Sequence, residues 1–108
     1  MEEKHLTRAI LIGADTGEYD AESSMDELAE LAQTAGAEEL ARVIQKREAY
    51  EAATVIGEGK LAEVKELCGS LGAELLIFDC ELTASQIRNV EDETDVRVID
   101  RTMLILVF

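Results

Sequence analysis

A chain of 108 residues, 47% of them hydrophobic, has material for one core and one domain, which excludes a disordered tail. Its 10 Lys and Arg stand against 24 Asp and Glu, so the formal charge is -14 and most of the surface repels polyanions; general nucleic-acid binding by charge is excluded, and any RNA contact must be local. Apolar runs stay shorter than the roughly 18 residues of a spanning helix, the closing "MLILVF" included, and Met1 to His5 lacks the apolar stretch of a signal peptide, so the expectation is a cytoplasmic protein with no membrane contact.

"RAILIG", Arg8 to Gly13, is a β-branched, nearly continuous apolar run stopped by glycine, the pattern of a strand buried on both faces. A polar loop, "ADTGEYDAES", follows; its four carboxylates between Asp15 and Glu22 lack the spacing of a calcium loop and read as a solvated face. Ser24 three residues before Glu27 has the spacing of a capping box, and Met25, Leu28, Leu31, Ala32 and Ala35 recur at helical intervals, which predicts a first helix ending at Gly36. A second strand is expected over Glu39 to Lys46, and "ATVIG" reads as a brief extended piece. Leu61, Val64, Leu67, Cys68 and Leu71 mark one face of a second helix closed by Gly72. "ELLIFD" is a central strand, Thr83 and Gln86 make another capping-box pair for a third helix with Ile87 and Val90 inward, and "VRVID" is a fourth strand. The alternation predicts an α/β domain with a predominantly parallel four-stranded sheet flanked by helices and joined by right-handed crossovers. The expected core is Ile10, Ile12, Leu28, Leu31, Val64, Leu67, Leu76, Ile77, Val98 and Ile99. The final "RTMLILVF" stays apolar to the last residue, so the expectation is that it continues in a longer protein or packs on another chain.

Three stretches, "VIGEGKLAEVKEL", "LLIFDCELTASQIRNVED" and "VRVIDRTMLIL", stand with "RAILIG" and "SMDELAELAQTAGAE" in an order that closely resembles the N-terminal domain of the HflX family of ribosome-associated GTPases. The resemblance runs from about Arg8 to Leu106. It implies a cytoplasmic factor acting on the large ribosomal subunit, splitting or recycling ribosomes, in which this domain is followed by a helical linker and a GTPase domain that uses GTP and Mg. Those parts are not in the sequence, and the expectation is an excised domain. The phosphate loop Gly-x-x-x-x-Gly-Lys-Ser/Thr is not formed around Lys60, because Thr54 stands at the first glycine position and Leu61 where Ser or Thr would hold magnesium. The chain alone is therefore expected not to hydrolyse GTP, to hold no cofactor and to contain no catalytic or metal-binding residues; the resemblance leaves ATP binding open.

Several residues carry candidate roles. Gly57, Gly59 and Lys60 read either as a loop where backbone approaches an RNA phosphate or a nucleotide at a helix start, or as a glycine turn entering that helix. Glu58 weakens the first reading. Gln45, Lys46 and Arg47 form a basic cluster that reads as an RNA-facing tip or a solvated strand end, and the loop after it falls on a common end with Gly57 to Lys60 if the second strand and second helix are neighbours. Gln86, Arg88 and Asn89 are candidates to face the linker, the GTPase domain or RNA, and Asp100 with Arg101 is a turn or domain-junction pair. Asp79 and Glu81 read as loop and helix-entry structure, His5 as incidental, and Cys68 and Cys80 as two inert thiols of a reducing compartment. The expected function is a ribosome-binding and regulatory domain with the large subunit and its own GTPase domain as partners. The alternatives are a small purine-nucleotide-binding or ATP-hydrolysing domain, and a module that dimerises weakly through its apolar C-terminal segment.

Overall fold

The computed structural model describes residues 5–107. Its strands are β1 (Thr7–Asp15), β2 (Ala37–Lys46), β3 (Leu75–Phe78) and β4 (Arg97–Asp100), and its helices α1 (Ala21–Thr34), α2 (Glu58–Leu71), α3 (Ala84–Thr94) and α4 (Arg101–Val107). All strands pair in parallel in the order β2-β1-β3-β4. The chain thus moves outward from β1 to β2, then crosses back over β1 to β3. That reversal puts α1 and α2 on opposite faces and makes the carboxyl ends of β1 and β3 the switch point of the sheet.

Strand alternation sorts the core into two layers. Ile10, Ile12, Leu76, Phe78 and Val98 point toward α2 and α3, meeting Leu61, Val64 and Val90. Ala9, Leu11, Leu75, Ile77 and Ile99 point the other way, toward α1 and α4, meeting Met25, Leu28 and Leu104. Because both faces are covered, the central strands read as unbroken apolar runs. Eight of the ten expected core residues are buried; Leu31 and Leu67 are half-buried at the margins of their layers.

Several boundaries differ from the expectation. The cap of α1 is Asp20, not Ser24: its carboxylate accepts from the Ser23 amide at 3.1 Å and the Ser23 hydroxyl at 2.9 Å, so the helix begins one turn earlier. β2 begins at Ala37, and Ala9 pairs with Glu39 while Ile10 pairs with Ala41, which leaves Leu40 as a bulge. The "ATVIG" stretch is no extended piece: Glu51 and Val55 exchange backbone hydrogen bonds of 2.9 and 2.8 Å across a tight turn. Gly36 (φ 93) and Gly72 (φ 69) close α1 and α2 in the left-handed region, as glycine allows. The Arg8 guanidinium donates to the terminal carbonyls of α2, Leu71 (2.6 Å) and Gly72 (3.3 Å), placing a cation where the helix dipole is negative. The capping box of α3 forms as expected from Thr83 and Gln86. The C-terminal apolar run is a helix, α4, with Leu104 buried against α1 while Ile105 and Leu106 are exposed.

Candidate functional site

The carboxyl end of β2 and the start of α2 meet, as the sequence suggests. The Gly57 amide donates to Gln45 Oε1 at 2.9 Å, and a Cβ on Gly57 would sit 2.6 Å from Arg47 Nη1, so the close approach of this guanidinium to the helix cap requires glycine. Arg47 is anchored by donating to the Ala49 carbonyl at 3.0 Å and by pairing with Glu51 at 3.3 Å. Lys46 is exposed, and among the described residues it makes no ion pair. Lys46, Arg47 and Glu48 line one side of a shallow groove of about 470 Å³ whose other side is Asp15, Thr16 and Gly17, at the end of β1. Lys60 turns along its own helix to Glu63, 3.0 Å away. Gly59 lies in the first turn of α2, where no neighbour crowds it and its φ is ordinary.

The other side of the α2 N-terminus is acidic. A groove of about 560 Å³ is lined by Glu51, Glu58, Asp92 and Glu93 together with Thr54 and Asn89. Gly57 offers no side-chain cap, and Glu58 answers the helix dipole from within the first turn. Four carboxylates there are the wrong charge for a polyphosphate. Of the junction candidates, Gln86 and Asn89 spend their amides inside the domain: Gln86 Nε2 donates to the Ala52 carbonyl at 3.2 Å and Asn89 Nδ2 to the Ala53 carbonyl at 3.0 Å. Arg88 is exposed.

Asp100 and Arg101 do not pair with each other. Asp100 is buried and bridges two amides, Leu82 at 2.8 Å and Met103 at 2.9 Å, so it ties the loop after β3 to the first turn of α4. Arg101 reaches across the sheet end to Asp79, 2.5 Å from Nη1 to Oδ1, and pairs also with Glu27 on α1. Asp79 lies in the loop after β3, as expected, but its side chain is 1% exposed and its Oδ2 has no hydrogen-bond partner, so that loop also carries a buried ion pair. Burial pushes the Asp79 carboxyl up from the ordinary range, with the Ser24 hydroxyl working the other way. Beside it, burial raises the Cys80 thiol to about 11 and also raises the Tyr19 and Tyr50 phenols, so none of the three is charged near neutral pH. Cys68 is a buried free thiol likewise raised by burial, and His5 faces Glu74 at 3.0 Å. Among the described residues no cluster of three or more His, Cys, Asp or Glu is placed to hold a metal ion, and no described helix is long and apolar enough to cross a membrane.

The buried pair escaped sequence reasoning because its partners lie far apart in the chain. The only hint was an aspartate closing each of two apolar strands, "LLIFD" and "VRVID".

Comparison with known proteins places this geometry among relatives. A family model described as GTP-binding GTPase N-terminal matches residues 22–108. The chain is 46% identical over 100 residues to GTPase HflX of Lacrimispora saccharolytica, covering 92% of this chain and 24% of that protein. It is 40% identical over 108 residues to GTPase HflX of Alkalihalophilus pseudofirmus, covering 98% and 26%. The chain therefore spans about a quarter of the length of these curated relatives. Among solved structures, a crystallised variant of SsGBP superposes with a TM-score of 0.70 at 20% identity, over 94% of this chain and 31% of that one, a likeness of fold.

Proposed function

Since the chain belongs to the GTP-binding GTPase N-terminal family, as the amino-terminal domain of an HflX-type protein, we propose that it binds the large ribosomal subunit and regulates a GTPase domain carried by the longer protein. The carrying observation is the exposed Lys46, beside an Arg47 seated on Gly57, at the switch end of an otherwise acidic domain. A local cationic tip on a chain of net charge -14 engages phosphate only where geometry keeps the acidic surface away. In this reading the domain works in the cytoplasm, in splitting or recycling ribosomes, while GTP and Mg belong to the GTPase domain.

Co-sedimentation with purified large subunits tests the proposal. With three cations on phosphate, affinity should fall about 20- to 40-fold when salt rises fourfold, as released counterions dictate. The Lys46→Glu, Arg47→Glu, Lys60→Glu variant should lose that binding in the full-length protein, and normal binding by it would refute the reading. The isolated chain should show no GTP turnover, because it lacks a Ser or Thr after Lys60 for magnesium and a complete phosphate loop. ATP binding at the start of α2 is the competing reading; ATP-dependent protection of Gly57 and Gly59, undiminished at high salt, would favour it. The exposed Ile105 and Leu106, 62% and 78% accessible, support weak self-association of the isolated chain, which sedimentation velocity at low and high salt reads directly.

A further inference from the structure

The turn before α2 holds a residue where it does not belong. Val55 has φ 69 although it is β-branched, a conformation that side chains of its shape rarely take, and it is buried to 1%. Across it the Ile56 amide donates to the Thr54 carbonyl at 2.8 Å, the hydrogen bond of a three-residue turn of the strained hand. Thr54 Oγ1 closes the same turn by donating to the Ile56 carbonyl at 2.7 Å. Such a conformation persists only where its surroundings over-determine it.

The surroundings here come from α3. Gln86 and Asn89, one turn apart on the same helix face, donate to the carbonyls of Ala52 and Ala53, which are exposed at the apex of the turn. Immediately after the turn comes Gly57, whose amide is held by Gln45 and whose Cα faces the Arg47 guanidinium. Any relaxation of Val55 therefore moves Gly57 relative to Arg47. We infer that Gln86 and Asn89 are positioning residues which, by pinning the Ala52 and Ala53 carbonyls, hold the Val55 turn in its strained state and set the geometry of the Arg47–Gly57 tip. The inference deepens the ribosome-binding proposal and rests on it for the identity of the partner.

Gln86 has two separable jobs. Its Oε1 accepts from the Thr83 amide in the capping box, while its Nε2 donates to Ala52. Gln86→Glu keeps the acceptor, since glutamate serves a capping box equally well, and removes the donor. Thr83→Ala does the reverse: it weakens the cap and leaves the donor in place. Asn89→Leu removes the second donor with no change of charge.

Amide hydrogen exchange on the 108-residue chain, paired with large-subunit co-sedimentation, decides the matter. Asn89→Leu and Gln86→Glu should each speed exchange at Glu51, Val55 and Gly57 about fivefold relative to Ile77 in the sheet, the equivalent of one neutral hydrogen bond. Asn89→Leu should weaken subunit binding by a similar factor. Thr83→Ala should lower the melting temperature while leaving that exchange ratio at its wild-type value. An unchanged ratio in Asn89→Leu overturns the inference, as does a raised ratio with wild-type subunit affinity, or a Thr83→Ala variant that loosens the turn as much as the other two. If the wild-type chain does not sediment with large subunits, the ribosome-binding proposal falls, and the exchange ratios alone decide whether α3 sets the turn.

Discussion

Arg101→Ala isolates what the buried pair contributes. In the folded chain the Asp79 carboxylate is 1% exposed and its neighbours Cys80 and Tyr19 bring no positive charge, so Arg101 is the cation that answers it. Removing that cation leaves a buried carboxylate uncompensated, which costs about 3 to 5 kcal/mol in well-buried pairs. Arg101 itself is 22% exposed, so the low end, about 3 kcal/mol, applies. Loss of the Glu27 contact adds little, because that carboxylate is mostly in water. For a domain of this size each kcal/mol moves the melting temperature by roughly 4 to 5 °C, so the variant should melt about 12 to 15 °C lower at pH 7.5. The sign with pH follows from Asp79. Burial raises its folded pKa above the unfolded value of about 3.9, and more so without Arg101, so the folded variant takes up a proton that the unfolded chain does not bind until lower pH. The gap between wild type and variant is full above that raised pKa and closes as pH falls toward about 4. Calorimetry of both proteins at pH 7.5 and pH 4.5 measures this. A loss under about 1 kcal/mol at pH 7.5, or one of equal size at both pH values, would show that the pair is not coupled through burial. Asp79→Asn added to Arg101→Ala should recover more than half of the loss, since it removes the stranded charge.

The glycines separate cleanly. Gly72→Ala forces a Cβ into a left-handed cap (φ 69) and should cost about 1 kcal/mol, whereas Gly59→Ala, in an open first helical turn, should stabilise by about 0.5 to 1 kcal/mol; urea denaturation reads both. Gly57→Ala should alter stability by less than about 1 kcal/mol, because the atom it meets is the mobile end of Arg47, yet displace that guanidinium and reduce subunit binding; wild-type binding would refute the tip geometry. Leu76→Ala, at a fully buried central position between β1 and β4, should cost about 2 to 5 kcal/mol, and an unchanged denaturation midpoint would contradict the packing.

What could be read from residue order was whatever is local and periodic. The four strands, the glycine stops at Gly36 and Gly72 and the Thr83–Gln86 capping box all declare themselves within a few positions, and each forms. The start of α1 was misplaced because two plausible caps stand four residues apart; the buried Ala21 lets the earlier one win, since the core gains by the extra turn. The convergence of Gln45, Arg47 and Gly57 was legible once strand and helix were assigned neighbouring places. Three things were not. The positive φ of Val55 contradicts its own propensity, at an expense of about 1 to 3 kcal/mol that only tertiary contacts explain. The inward turn of Gln86 and Asn89 depends on where the 51–56 segment folds over α3. The Asp79–Arg101 pair joins residues brought together only by the closing of β3 and α4 onto α1.

The strand order also governs how this chain must fold. β1 is the first strand to be synthesised and lies between β2 and β3, so Ile10 meets Ala41 on one side but Leu76, more than half the chain later, on the other. Until β3 emerges, a nascent chain can build only the parallel βαβ unit of β1, α1 and β2, leaving Ile10 and Ile12 uncovered beside an open ladder. Closing the sheet means closing a long loop first, which slows folding relative to helical bundles of equal size. The bulge at Leu40 and the charges of Glu38, Glu39 and Arg42 then have a second use: they spoil the outer edge of β2 as a template for other unfinished chains during that wait.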